Sequence, residues 1–225
     1  MCCDYFSYIG TTISSSSRII TIRFIESSPS KIGTLLANGV YSIYQAVPAI
    51  AVMLIGALTC WMVFFGMNNA TFPIVFALLA EVGSDPLICA GMAPANVAVG
   101  GACLAVALLA KKADEKSVAA GAGITALCGI TEPGVYGVLF VKKYPLIGAM
   151  VGGGLGGLIC GMFHGAQYII STPGFISFAA YITPVNPEFG FDGISFNFIL
   201  MMIVMVVATA TSFAVTYILG KKKEA

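Results

Sequence analysis

Charged residues are scarce in this chain. Lys and Arg together number 11 and Asp and Glu 10, so only 9% of the 225 residues are charged while 58% are hydrophobic. Soluble domains carry roughly 25% charged residues, and a mean hydropathy of +0.95 therefore excludes a water-exposed globule. A formal net charge of +1 also excludes an extended basic surface for nucleic acid.

Residue patterns that support metal or covalent chemistry are lacking as well. The chain has one His, and its seven Cys show no C-x-x-C spacing, so we expect neither a zinc site nor a disulfide framework. The cysteines are interpreted as small polarizable packing residues, and His164 as an interfacial residue rather than a proton relay. The chain also has no Walker or H-E-x-x-H motif. We therefore expect no metal and no cofactor.

Glycine is abundant, with 26 residues, and some of the glycines form a motif that resembles a dinucleotide-binding loop. Residues 152–157 contain G-x-G-x-x-G, but no strand precedes them and they lie inside an apolar run, which excludes a dinucleotide site. Gly153, Gly157 and Gly161 recur every four residues, and this spacing predicts close helix packing.

Long uncharged runs dominate the rest of the chain, and they are continuous rather than alternating, which predicts membrane-spanning helices. Beyond residue 31, the lysines fall into three groups, at 111, 112 and 116, at 142 and 143, and at 221–223. Two other polar islands are acidic only, one with Glu81 and Asp85 and one with Glu188 and Asp192. The positive-inside rule places the lysine groups, and with them the carboxyl terminus, in the cytoplasm.

The runs between these islands can be compared with the length of a membrane span, about 20 residues. Four runs predict full spans: 46–65, 86–110, 145–170 and 193–220. Residues 117–141 have both ends in the cytoplasm but are too short for two crossings, so we predict a re-entrant hairpin broken at Glu132-Pro133. Such a break is tolerated only when it is packed in protein or lines a wet cavity.

Two further interruptions, at 66–73 and 171–174, predict broken helical pieces. The predicted fold class is therefore all-α, a polytopic helical membrane protein with about four full spans and two or more re-entrant hairpins. Broken helices that enter from opposite faces are typical of transporters that hold substrate near the midplane.

Glu132 is the strongest candidate for a functional residue. A carboxylate at membrane depth costs about 2.5–3.5 kcal/mol and usually faces a cavity. Pro133 frees backbone carbonyls and Thr131 adds a hydroxyl, which together suit sugar hydroxyls or cations. The alternative is that the hairpin tip reaches water and Glu132 is a solvated turn residue.

Three amides are secondary candidates. Asn68 and Asn69 interrupt the first long run and offer donors and acceptors to a polyol, and Asn96 follows Pro94 in an apolar span. For each of them, hydrogen bonding between helices is the alternative interpretation.

The segment 129–138 reads G-I-T-E-P-G-V-Y-G-V. It resembles the G-I-T-E-P-x-x-Y-G-V signature of the enzyme IIC permeases of the bacterial phosphoenolpyruvate-dependent sugar phosphotransferase system. The resemblance extends over residues 31–220 and includes I-G-T-L-L-A-N at 32–38 and K-K-Y-P at 142–145. Within the glucose superfamily, the chain is most similar to the β-glucoside, sucrose and trehalose branch.

This resemblance implies a multi-pass protein of the bacterial plasma membrane. Such a protein carries a sugar across the membrane by alternating access and presents it to a phosphorylated IIB domain, which is charged by IIA. The resemblance implies that Glu132 hydrogen-bonds the sugar and that no residue of this chain is phosphorylated. The chain would thus be a membrane subunit of a protein-phosphohistidine–sugar phosphotransferase complex. The resemblance also implies a ten-span IIC domain, and the topology predicted above corresponds to the second half of that domain.

The chain departs from the family pattern in three ways. Asn68 stands where the family usually has His, which affects sugar identity. Residues 1–30 are Ser-rich and unlike the family, so we expect a divergent, poorly ordered segment there, a sugar-binding half over 31–220 and a basic tail at 221–225. IIB and IIA are expected on separate chains, as are the first-half spans, and we expect a homodimer if the domain is complete.

Two other functions remain open on the residues alone. A degenerate or split permease fragment would act only as a membrane assembly partner. An ion-coupled sugar transporter would carry sugar without phosphoryl transfer.

Overall fold

The computed structural model describes residues 42, 44–67, 71–182 and 196–224. The main helices are α1 (Pro48–Phe64), α2 (Phe72–Val82), α3 (Ile88–Leu109), α4 (Ala113–Leu127), α5 (Tyr144–Met162) and α6 (Phe196–Glu224). Between α4 and α5 lies a returning arm made of Glu132–Gly134, the π-helical Val135–Leu139 and Phe140–Lys142. A 3₁₀ helix, Phe175–Tyr181, lies between α5 and α6 in the chain. The described residues form no regular strand, which confirms the predicted all-α class.

Helix α3 is the central element of the fold. It packs against α1, α4, α5 and α6, and its apolar window is 83% buried. Its sequence is rich in Ala and Gly, so neighbouring helices approach its backbone closely. One of these close contacts is with α6, where the Ser212 hydroxyl donates a hydrogen bond of 2.6 Å to the Ala98 carbonyl of α3.

The glycines of α5 form two packing faces. A Cβ on Gly153 would lie 2.5 Å from the Gly56 carbonyl oxygen, and one on Gly157 would lie 2.5 Å from that of Val52, both on α1. A Cβ on Gly161 would meet the backbone of residues 48–49, and one on Gly152 would meet α6. The predicted close packing through Gly153, Gly157 and Gly161 is therefore confirmed.

Three described helices are long and apolar enough to cross a membrane: Ile88–Leu109, Tyr144–Met162 and Phe196–Lys223. Helix α1 is apolar but shorter, with 17 residues. The third predicted span, 145–170, was too long, because the helix ends at Met162. The backbone leaves the helical path there, and His164 adopts a φ of 52°.

The region 113–142 folds back on itself, as the charge pattern predicts. At its open end, the Lys142 ammonium lies 2.9 Å from the Glu115 carboxylate, which joins the last turn of the returning arm to the first turn of α4. This ion pair holds the pKa of Glu115 below its usual value, mainly through the hydrogen bond from Lys142. Both ends of the hairpin are therefore at the same side of the molecule.

Candidate functional site

The tip of this hairpin is a tight turn over residues 128–131. Helix α4 ends as the Cys128 N–H donates to the Ile124 and Thr125 carbonyls and the Ile130 N–H donates to Thr125. Gly129 adopts a φ of 101°, in the region that side chains with a Cβ rarely enter. The predicted break at the proline was misplaced, since Pro133 lies in the first turn of the returning arm, where its missing N–H has no cost.

A second irregular segment, the proline loop at residues 171–174, packs against this turn. A Cβ on Gly129 would lie 3.0 Å from the Pro173 carbonyl oxygen, and one on Gly174 would lie 2.7 Å from the Gly129 nitrogen. The two backbones are thus in direct contact through glycines. Two of the interruptions predicted from sequence meet at one point in the fold.

Side chains on three elements hold the proline loop in place. The Asn96 amide on α3 donates a 2.8 Å hydrogen bond to the Pro173 carbonyl. The Gly174 N–H donates to the Tyr181 hydroxyl at 3.1 Å, and Asn197 on α6 binds the Tyr181 carbonyl at 2.7 Å. Asn96 is 3% exposed, and its Oδ1 atom has no hydrogen-bond partner among the described residues. The loop position therefore depends on α3 and α6 together.

Replacing Asn96 tests this arrangement. We expect Asn96→Leu, which keeps the approximate volume, to lower the free energy of unfolding by about 1–3 kcal/mol, because the buried Pro173 carbonyl loses its donor. Thermal unfolding in detergent measures the loss, and maleimide labelling of the half-buried Cys128 should become faster. Unchanged stability and labelling would show that the amide does not hold the loop.

Glu132 begins the returning arm, directly beside the contact between the turn and the loop. Its side chain is exposed, and its carboxylate has no hydrogen bond or ion pair among the described residues. Thr131 is 3% exposed and belongs to the same turn. The structure therefore places Glu132, Thr131 and the loop held by Asn96 in one region. Asn68 and Asn69 lie outside the described residues.

Tyr136 connects the returning arm to the end of α1. Its hydroxyl donates to the Val63 carbonyl at 2.8 Å, which also accepts from the Gly66 N–H, and lies 3.2 Å from the Phe64 carbonyl. An aromatic cluster surrounds this contact, with the rings of Phe64 and Phe140 stacked at 3.9 Å and Trp61 5.3 Å from Phe140. The arm that carries Glu132 is thereby fixed to the last turn of α1.

The hydroxyl of Tyr136 can be removed alone. We expect Tyr136→Phe to lower the free energy of unfolding by about 1 kcal/mol, the contribution of one hydrogen bond, because the Val63 carbonyl loses the tyrosine donor. Thermal unfolding in detergent measures the loss. Tyr217→Phe on α6, whose ring stacks on Phe213, is the matched control. Equal melting temperatures for the two variants would show that the hydroxyl does not hold the arm to α1.

Sequence reasoning missed two buried polar residues near the start of α3. Asp85 is fully buried, and its carboxylate accepts hydrogen bonds from the N–H groups of Leu87, Ile88 and Cys89 at 3.0, 2.9 and 2.7 Å. Its backbone pairs with that of Gln167. An Asp followed by Pro before an apolar run is a helix-start signal, so the cap of α3 was detectable. Gln167, in contrast, had no such signal.

The fold and the hairpin contact define a polytopic helical membrane protein with a polar site built from interrupted helices. The family model described as "Phosphotransferase system, EIIC" matches residues 9–153, and this chain belongs to that family. The match begins inside the segment predicted to be divergent, and the predicted boundaries at 30 and 220 stay predictions.

Curated relatives confirm the predicted resemblance to the β-glucoside and sucrose branch. The arbutin-, cellobiose-, and salicin-specific EIIBC component of Escherichia coli K12 is 30% identical over 84% of this chain and 38% of its own length. The beta-glucoside-specific EIIBCA component of Bacillus subtilis is 35% identical over 84% of this chain and 29% of its own. The sucrose-specific EIIBC component of Pasteurella multocida is 29% identical over 85% and 38%.

This chain spans about a third of the length of these relatives: 38%, 29% and 38%, respectively. No solved structure shows significant similarity to it. Family membership and the multi-pass location in the plasma membrane are therefore established, whereas the activity of the whole protein has to be argued from the site.

Proposed function

We propose that this chain forms the sugar-binding part of a IIC membrane subunit and presents a β-glucoside-like sugar to a phosphorylated IIB. The IIB phosphoryl group is transferred to a sugar hydroxyl, so the product enters the cell as a sugar phosphate. The names of the relatives, which include β-glucoside, cellobiose and sucrose components fused to IIB, support this class of sugar and partner.

The observation that carries the proposal is an unpaired carboxylate on a fixed turn. Glu132 has no protein partner among the described residues, yet the turn before it is held against the proline loop through Gly129 and Gly174. A rigid backbone with a free carboxylate suits ligand binding, because the acceptor atoms are in place before the ligand arrives. Two adjacent sugar hydroxyls can donate to the two carboxylate oxygens.

One exposed ring lies on the arm, and a second belongs to the aromatic cluster that contacts it. Tyr136 follows Glu132 by four residues and therefore shares its face, with 47% of its surface exposed. Phe65, which is 66% exposed, continues the aromatic cluster beyond α1. The C–H face of a pyranose can pack on such rings while its hydroxyls reach Glu132. Thr131, Asn96, Asn68 and Asn69 remain secondary candidates for sugar contacts.

The proposal includes an orientation and a set of partners. The lysine groups, the open end of the hairpin and the carboxyl terminus lie on the cytoplasmic side, where IIB and IIA act. A chain that carries the first-half spans and a homodimer of the complete domain stay predictions.

Reconstitution tests the proposal. Vesicles that contain this chain, alone or with a chain carrying the first-half spans, are supplied with phosphoenolpyruvate and the general and IIA and IIB phosphocarriers. We expect labelled cellobiose or salicin to accumulate as sugar phosphate only when IIB is present. Accumulation of unmodified sugar without IIB would favour an ion-coupled transporter instead, and no sugar binding in any combination would favour an assembly fragment.

A further inference from the structure

A second candidate site lies at the end of the molecule that carries the lysines, between the start of α5 and the end of α6. A cavity of about 400 Å³ is lined there by Lys143, Tyr144, Ile147, Leu219, Lys222 and Lys223. Gly220, next to the lining residue Leu219, lets α6 approach Tyr144 closely, because a Cβ at Gly220 would lie 2.8 Å from the Tyr144 ring. Nothing in the proposed sugar site involves these residues.

Three lysines from two distant parts of the chain line this cavity. Lys143, Lys222 and Lys223 are exposed, and none of them forms an ion pair with a described side chain. Lys142, next to Lys143, is instead paired with Glu115. The lysines at the cavity therefore present uncompensated positive charge, which favours an anionic ligand.

The backbone at Lys143 supports a binding role. Lys143 has φ 63° and ψ −41°, a conformation that residues with a Cβ rarely adopt. It is held by a 2.8 Å hydrogen bond from its N–H to the Leu139 carbonyl, and the chain enters α5 directly after it. Strained residues of this kind are frequent at ligand clamps. The strain places Lys143 beside lysines that are about 80 residues away in sequence.

The other part of the cavity is apolar and continues along the outside of α5. Ile147 lines the cavity and is 53% exposed, and Val151 and Leu155 follow at four-residue spacing with 39% and 43% exposed. Residues at this spacing lie on one helix face, so they form an unbroken apolar track that leads away from the lysines. A soluble anion would use only the lysines, whereas a ligand with a charged head and a hydrocarbon chain would use both.

We propose that this cavity binds one anionic phospholipid, with its phosphate at Lys143, Lys222 and Lys223 and one acyl chain along Ile147, Val151 and Leu155. Basic cavities between helices at a membrane surface bind anionic headgroups in this manner. The helices that border the cavity are long enough to span a bilayer, so the track lies at the depth of the acyl chains. This site is independent of the proposed sugar function.

Lipid retention measured by native mass spectrometry tests the proposal on the full purified chain in detergent. With equal amounts of phosphatidylglycerol and phosphatidylcholine, we expect one phosphatidylglycerol to be retained with at least tenfold preference. The variant Lys143→Gln/Lys222→Gln/Lys223→Gln should lose that preference. The variant Lys112→Gln/Lys116→Gln/Lys221→Gln removes the same charge from lysines that do not line the cavity and should keep it.

The apolar part is tested by Ile147→Gln, which should weaken phosphatidylglycerol retention severalfold while leaving the lysines unchanged. Equal loss in both lysine variants would overturn the proposal in favour of nonspecific charge attraction. Displacement of the lipid by millimolar inorganic phosphate, or full retention in Ile147→Gln, would overturn it in favour of a soluble anion. If the first lysine variant is not monodisperse, Lys222→Gln/Lys223→Gln at the exposed end of α6 replaces it with the same expectation.

Discussion

Replacing Glu132 by Gln should abolish measurable sugar binding while the protein still inserts and folds. The carboxylate offers two acceptor oxygens to sugar hydroxyls, whereas the amide offers one and adds a donor group that the hydroxyls do not need. Hydrogen bonds to a charged group contribute about 1.5–3 kcal/mol each, so affinity falls from roughly tenfold for the loss of one weak bond to roughly ten-thousandfold for the loss of two strong ones. Binding of labelled salicin to membranes that contain the variant measures the effect.

The same hairpin provides a matched control. Glu115→Gln makes the identical chemical change at the open end of the hairpin, where the side chain is exposed and pairs with Lys142. Its contribution to stability is small because the pair is at the surface, and sugar affinity should be unchanged. Wild-type affinity in Glu132→Gln would show that this carboxylate is a solvated turn residue. Equal losses in both variants would point to the hairpin rather than to Glu132.

Adding one methyl group at Gly157 should destabilise the fold strongly. The new Cβ would lie 2.5 Å from the Val52 carbonyl oxygen and 3.1 Å from the Met53 Cα, both backbone atoms of α1 that cannot rotate away. Helix α1 would have to move as a unit, so we expect Gly157→Ala to cost about 3 kcal/mol, the upper part of the range for overpacking. Thermal unfolding in one detergent, followed by labelling of buried cysteines, measures this cost.

Gly154, on the same helix, receives the same substitution as a control. A Cβ there would lie 3.4 Å from the Ala57 Cβ, an ordinary contact between side chains. Alanine is also the better helix former, so Gly154→Ala should be neutral or slightly stabilising. Similar melting temperatures for the two variants would contradict the close packing of α5 against α1.

The hairpin and the glycine packing were predictable because each depends on properties that are local in sequence. Residues 117–141 have lysines at both ends and are too short for two crossings, and this predicted that the segment folds back on itself. In the structure, the ion pair between Glu115 and Lys142 joins the two ends of the hairpin. The four-residue spacing from Gly153 to Gly161 identified the face on which α1 packs. The position of the turn was harder to predict from the sequence. A proline suggested it, but the left-handed Gly129, three residues before Glu132, forms it.

The amino-acid sequence alone determined that this chain is a helical membrane protein, where its spans begin and which motif it carries. The spans are predictable because the free energy of transferring an apolar helix into lipid is a sum over residues that are neighbours in the sequence. Only the tertiary structure decided that the Gly129 turn meets the proline loop, that Asn96 binds Pro173, that Tyr136 closes α1 and that Asp85 is buried. These contacts join residues up to 77 positions apart. They form because α3 and its small side chains bring the helices together, and the sequence pattern that predicts close packing does not say which residues then meet.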